Sequence, residues 1–380
     1  MVMLNGLSLL AIYFVSAWGT PRIVSVPDLH GDYERAMQVL QAAGVIDTAG
    51  TWVGGTTTLV QTGDIADRGA GSLKIYRLFD RLAKDAPKTG GRVVNLLGNH
   101  ELMNMQGDDR YVSKLDMEGY GGRSAWQQTW QADGEIGKLV RTFKAAAKVG
   151  NLLFVHAGLL PTFLAGGRTL DDLNSDMISA LSRSNLRGNS KLLGDSGPLW
   201  TRYYAEGDDP SICASVQEVL KHVGAIRMIV GHTIQQRSLG EYRANPVCSG
   251  SLILGDTAIS RAYGGEMSFI EYKADDSAVV NYPGLDGVKE VLPPSPLSVP
   301  ASLHELEKTR VQDDTATVQN MRREAGTIAA EAPTSSEAYP TLITGRFGLA
   351  CLSAFVLAGL ALCTWVSRSP FSSSRKLRNP

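Results

Sequence analysis

The sequence predicts an α/β sandwich, a sheet covered by helices on its outer faces, and three observations predict it. Short apolar runs alternate with stretches of helical length, chemistry-bearing motifs follow directly after five of those runs, and the later runs lose their intervening helices. The runs at 22–26, 58–61, 92–97, 152–155 and 228–230 are rich in Val, Ile and Leu and bounded by Gly or polar residues, the pattern of buried strands. Between them, 33–43, 71–84, 124–148, 170–184 and 211–223 read as helices. The runs at 251–254, 267–272 and 277–281 follow one another without helices and read as a closing antiparallel sheet.

The flanks of this unit differ from it in composition. Residues 1–19 contain an apolar core at 4–15 and end in Ala17-Trp18-Gly19, which resembles a small-x-small cleavage site. They read as a signal peptide, or as an uncleaved anchor, since no Lys or Arg precedes the core. Residues 20–282 form the expected catalytic domain. Residues 283–345, rich in Pro, Ser, Ala, Thr and Glu with few aromatics, read as a low-complexity stalk.

Within the segment 346–367, twenty consecutive residues carry no charge. At about 1.5 Å per residue they match a hydrocarbon core of roughly 30 Å, so the segment reads as a transmembrane helix. Arg368, Arg375, Lys376 and Arg378 make the tail at 368–380 the cytosolic side. The expectation is a single-pass type I membrane protein with its catalytic domain lumenal or extracellular. Cys213 and Cys248 would share that compartment, either as a disulfide or as two free thiols. With 37 Lys plus Arg against 38 Asp plus Glu, a net charge of −1 offers no nucleic-acid footprint.

The motifs are Asp28-Leu29-His30-Gly31-Asp32, Gly63-Asp64-Ile65-Ala66-Asp67-Arg68-Gly69, Gly98-Asn99-His100-Glu101, His156-Ala157-Gly158 and Gly231-His232-Thr233. All sit where a predicted strand ends, the position at which open α/β sheets place their ligand crevice. One histidine at a strand end is most often structural. Four of the chain's six, His30, His100, His156 and His232, accompanied by Asp28, Asp64, Asp67 and Asn99, supply the hard oxygen and nitrogen ligands that two closely spaced divalent ions need.

In this order the motifs resemble those of the phosphoprotein phosphatase branch of the metallophosphoesterases, over 22–282. Gly197-Pro198-Leu199-Trp200-Thr201-Arg202 followed by Val230-Gly231-His232-Thr233 is similar to the Shewanella-like protein phosphatases of plants and protists. The resemblance implies a calcineurin-like sandwich and two divalent or trivalent metal ions, manganese or an iron/zinc pair. By motif, Asp28 and His30 would bind one ion and Asn99, His156 and His232 the other, with Asp64 bridging. A hydroxide shared by the ions would attack phosphorus directly, without a covalent phosphoenzyme. His100 would be the general acid, Asp67 would orient it, and Arg68 and Arg202 would grip the phosphoryl oxygens.

The implied activity is hydrolysis of phosphate monoesters on a phosphorylated protein or peptide. Pro27 departs from the family's Gly, and Leu97 stands where the Ser/Thr phosphatases carry Arg. Both phosphoserine/threonine and phosphotyrosine therefore remain open. A small-molecule phosphoesterase, such as a dinucleoside polyphosphate hydrolase, would use the same core. A surface adhesion or scaffold module would have lost ligands, and none is lost.

Overall fold

The computed structural model describes residues 22–182, 191–206, 209–292 and 294–298. The expected signal peptide, transmembrane helix and basic tail lie outside the described residues. Among the described residues no helix is long and apolar enough to cross a membrane.

Strands β1 (Ile23–Val26), β2 (Thr58–Gln61) and β3 (Arg92–Asn95) are parallel neighbours. Helices α1 (Tyr33–Ala42) and α2 (Ser72–Asp85) make the crossovers between them. Asp32 starts α1 by accepting the Arg35 N–H. Four short helices follow β3: α3 (Asn99–Met105), α4 (Lys114–Gly119), α5 (Arg123–Trp130) and α6 (Glu135–Val140).

The chain then enters a second sheet through β4 (Ala146–Val149) and β5 (Leu152–Val155), passes α7 (Leu170–Leu181) and α8 (Pro210–Val223), and returns in β6 (Arg227–Val230). Helix α8 opens on Asp209, which accepts the Ser211 N–H, carries Pro210 in its first turn, and stops at Gly224 in the left-handed conformation at φ 62°. A small hairpin, β7 (Gln236–Ser238) and β8 (Glu241–Tyr242), precedes β9 (Asn245–Val247) and β10 (Leu252–Leu254). Last come β11 (Phe269–Tyr272), β12 (Ala278–Tyr282) and β13 (Val288–Leu292). The first sheet runs β13-β12-β11-β1-β2-β3 and the second β4-β5-β6-β10-β9.

The two sheets pack face to face, with helices covering their outer sides. Side chains alternate across each strand, so Leu152 and Phe154 of β5 enter the layer between the sheets while Leu153 and Val155 face the helices. Ile229 and Ile253 enter the same inner layer from β6 and β10, and Val60, Ile270 and Val280 meet them from the other sheet. Because both faces are apolar, the strands read in sequence as unbroken hydrophobic runs. Phe154 and Tyr272 meet edge to face across the sheets, with ring centroids 5.7 Å apart.

The expected helix at 124–148 is instead α5, α6 and β4. Helix α5 ends as Gln131 turns to extended backbone, and Gly134 opens α6 where a Cβ would strike the Gln128 and Thr129 carbonyls. Ala146–Val149 then pairs antiparallel with β5 despite its helix-favouring composition. The expected closing sheet is also divided. Strands β11 and β12 join β1 in the first sheet, whereas β10 lies parallel to β6 in the second. The first sheet continues past residue 282, where the low-complexity segment was expected to start, because β13 pairs along the whole of β12. Beyond it, Ser295 is buried and donates its hydroxyl to the Ile226 carbonyl at 2.6 Å.

Cys213 of α8 and Cys248 beside β9 form a disulfide, Cα atoms 5.2 Å apart. It ties the helix covering β6 to the segment leading into β10.

Phe154→Ala empties the layer between the sheets and is expected to cost about 3–5 kcal/mol in chemical denaturation. A loss of less than about 1 kcal/mol would contradict the inter-sheet packing as a main source of stability.

Candidate functional site

All five sequence motifs meet at one end of the sandwich, after the C-terminal ends of β1, β2, β3, β5 and β6. The loop after β2 is their junction. The Asp64 carbonyl accepts the N–H groups of Leu29 and His30, each at 3.0 Å, and its Oδ1 accepts the His100 N–H at 2.9 Å. Its own N–H goes to Glu101, whose two oxygens also take the N–H groups of Ile65, Ala66 and Gly98 and the Tyr76 hydroxyl.

This junction holds residues in conformations that L-amino acids disfavour. His30, Asp64, Asp67, Arg68 and His232 have φ of 40°, 54°, 72°, 67° and 66°. Each costs on the order of 1–3 kcal/mol and persists only when its surroundings enforce it.

Each candidate histidine has one ring nitrogen committed to an acceptor, and that sets which nitrogen faces inward. A carbonyl can only accept, so Nδ1 of His30 donates to Ala66 at 3.1 Å and Nδ1 of His156 donates to Thr62 at 2.9 Å. In His232 it is Nε2 that donates, to the Trp200 carbonyl at 3.2 Å. The remaining nitrogens of His30 and His232 carry lone pairs, and that of His156 offers one when its proton is displaced. Nε2 of His30 lies 3.9 Å from Asp28 Oδ2 and 3.7 Å from Asp64 Oδ2, and Nε2 of His156 lies 3.0 Å from Asn99 Oδ1 and 3.5 Å from Asp64 Oδ1.

Ligand atoms of His30, Asp64 and His100 lie within 4.8 Å of one another, as do those of Asp64, His156 and His232. Asp64 is common to both groups. The six expected ligands, Asp28, His30, Asp64, Asn99, His156 and His232, are all buried.

Two observations test whether these residues suit a pair of cations. Asp28 Oδ1 is buried with no hydrogen-bond partner among the described residues, while Oδ2 accepts the His232 N–H at 3.0 Å. A Cβ on Gly231 would occupy the space of Asp28 Oδ1, and one on Gly98 that of Asp64 Oδ1, so both glycines keep a carboxylate aimed inward. With oxygen and nitrogen donors throughout, the set could hold two hard or borderline divalent ions.

Electrostatics agree. Burial, then the neighbouring Asp256 and Asp64, pushes Asp28 well above the usual carboxylate range. Burial lowers His30 to about 3 and, with His156 beside it, lowers His232 to about 3, so both rings are neutral. Against burial, Asp64 raises His156, so a proton and a cation compete for its Nε2.

His100 is differently arranged. Its Nδ1 lies 2.6 Å from Asp67 Oδ2, and against burial the Asp64 and Asp67 carboxylates raise it above the ordinary histidine value. Asp67 is itself held by Asn104, whose Nδ2 donates to Oδ1 at 2.8 Å. Arg68 is half-buried over the Tyr111 ring, 3.9 Å from its centroid and 5.4 Å from that of Tyr263, and its Nε has no hydrogen-bond partner among the described residues. Arg202 is exposed at the rim, its Nη1 3.0 Å from Thr233 Oγ1.

Sequence reasoning missed five residues at this site. Glu101 ends a recognised motif, and its role as anchor of four backbone N–H groups could have been suspected from that position. Asp256 follows β10 as Asp28 follows β1, yet without a histidine nearby it drew no notice; it is buried and raised to about 6 by burial, with Asp64 adding to the rise. Asn104, Tyr111 and Tyr263 carried no local signal, being brought in by folding alone.

Glu101→Gln leaves amide hydrogens against backbone donors and is expected to destabilise the fold by at least about 2 kcal/mol while weakening manganese binding. Thermal unfolding and titration calorimetry read both effects, and unchanged values in both would contradict the anchoring role.

The sequence profile of the calcineurin-like phosphoesterases matches residues 21–236. An uncharacterized protein of Schizosaccharomyces pombe is 35% identical over 267 residues, covering 67% of this chain and 78% of its own. Shewanella-like protein phosphatase 2 of Arabidopsis thaliana is 29% identical, covering 63% of this chain and 72% of its own. The crystal structure of a cold-active protein-tyrosine phosphatase from a psychrophilic Shewanella species superposes with a TM-score of 0.61 at 27% identity, covering 72% of this chain and 81% of that one.

Proposed function

The chain belongs to the calcineurin-like phosphoesterase family, and from that premise we propose that it is a protein phosphatase that hydrolyses phosphate monoesters on phosphorylated polypeptides. The observation that carries this reading is the Asp64 carboxylate shared by two imidazole groups, with the unpartnered Arg68 Nε and the paired His100 beside it. The protein substrate is supported by the names of the Arabidopsis relative and the Shewanella structure, the latter a tyrosine phosphatase.

In this proposal Asp28 and His30 would hold one metal ion and Asn99, His156 and His232 the second, with Asp64 contributing to both. When bound, such a pair supplies Lewis-acid charge to the phosphoryl group and makes nearby water more acidic. Arg68 and Arg202 bind the phosphoryl oxygens with planar forks of donors. Tyr111 and Tyr263 hold Arg68 in place by stacking, so less of its freedom is lost when substrate arrives.

His100 serves as general acid. Nδ1–H stays on Asp67, which stabilises the imidazolium, and the Nε2 proton passes to the leaving oxygen. Burial of the ligand cluster excludes bulk water from competing for that proton.

His100→Asn is expected to lower kcat by about 10²- to 10⁴-fold on a phosphoserine peptide, and by much less on an aryl phosphate whose leaving group needs no proton. Equal losses on both would contradict the general-acid role. Asp64→Asn removes the shared carboxylate and is expected to abolish phosphate release with manganese supplied. A purified Asp64→Asn protein with normal turnover would overturn the assignment of the site.

A further inference from the structure

A cavity of about 480 Å³ opens directly beside the proposed phosphoryl site, and Arg68 is part of its lining. That volume lies within the usual range for ligand pockets. The cavity leads away from the buried cluster between the start of α1, the start of α2, and the segment that follows β10. Its walls mix apolar and cationic groups: Tyr33 is half-buried, Ala262 is exposed, and Leu115 is 65% exposed at the rim.

The charges along it are not balanced. Arg261 is occupied, with its Nη2 2.7 Å from Asp32 and its Nη1 2.8 Å from Glu34, so it is tied up within the protein. Lys74 is different. It is exposed in the first turn of α2, its Nζ lies 5.8 Å from the Tyr33 ring centroid, and it has no carboxylate partner among the described residues. Beyond the phosphoryl-facing Arg68, Lys74 is therefore the cation of the lining that has no ion pair among the described residues.

We propose that this cavity is a substrate subsite that receives the polypeptide flanking the phosphorylated residue, and that Lys74 selects an acidic side chain there. The inference rests on the phosphopeptide reading above. An extended chain whose phosphate is held by Arg68 has the cavity as its adjoining space, and an exposed apolar residue such as Leu115 gives the neighbouring side chain a surface to cover. Lys74 then contributes a charge contact that a small aryl phosphate is too short to reach. As a solvent-exposed pair it is worth a few-fold in rate, and it weakens as salt rises.

The test compares the full-length protein with Lys74→Glu and Lys74→Met, assayed with manganese on an aryl phosphate and on a phosphopeptide panel. The panel places Asp or Lys at each position flanking the phosphoresidue. The reading is the ratio of peptide to aryl phosphate kcat/KM within each protein. The unaltered protein is expected to favour Asp-flanked over Lys-flanked peptides by about two- to fivefold, Lys74→Met to lose that preference, and Lys74→Glu to reverse it. Ratios that are the same for all peptides, or a preference that survives in both variants, would overturn the subsite while aryl phosphate turnover left the phosphatase reading standing. No turnover on any substrate would overturn the phosphatase reading itself and the subsite with it.

Discussion

The position of one buried carboxylate, that of Asp64, governs the rest of the site. Its backbone is in the left-handed region, its carbonyl fixes the loop after β1, and its Oδ1 fixes the start of α3. Its carboxylate faces His30 and His100 on one side and His156 and His232 on the other. Asp64 can hold that place because Glu101 absorbs the N–H groups of three consecutive residues in its loop, and because Gly98 leaves room where a Cβ would collide. The sandwich contributes by bringing the strand ends together, and the loop strain is sustained by that packing.

Such a cluster is unfavourable as a purely structural device. Asp28, Asp64, Glu101 and Asp256 are buried close enough to influence one another, and burial followed by mutual repulsion raises Asp28 and Glu101 above their ordinary values. Asp64 is the exception: against burial, His156, His100 and His30 hold it well below the carboxylate range. Buried carboxylates packed against imidazole nitrogens are a poor core and a good cation site. The two functions of histidine here separate by partner. His30 and His232, tied to carbonyls, present lone pairs, whereas His100, tied to the Asp67 carboxylate, keeps its proton.

Much of this was legible in the sequence, for physical reasons. Strand β2 at 58–61 and strand β5 at 152–155 match their apolar runs because strands apolar on both faces leave no ambiguity of pattern. The motif residues converge as expected because parallel strands deliver their C-terminal ends to one side. What was illegible depended on tertiary partners. Ala146–Val149 looks helical until β5 pairs with it, and Leu252–Leu254 chooses β6 over the neighbours that follow it in sequence. Val288–Leu292 lies in a stretch of weak pattern and is ordered by pairing with β12. Tyr111 and Tyr263, which both reach Arg68 from far downstream in sequence, belong to no motif at all.

The shared role of Asp64 is the central claim, and a manganese-soaked crystal examined by anomalous diffraction tests it most directly. The account predicts two peaks roughly 3.5–4 Å apart, one beside Asp28 and His30, the other beside Asn99, His156 and His232, with Asp64 touching both. A single peak, or a pair that Asp64 does not bridge, would contradict it.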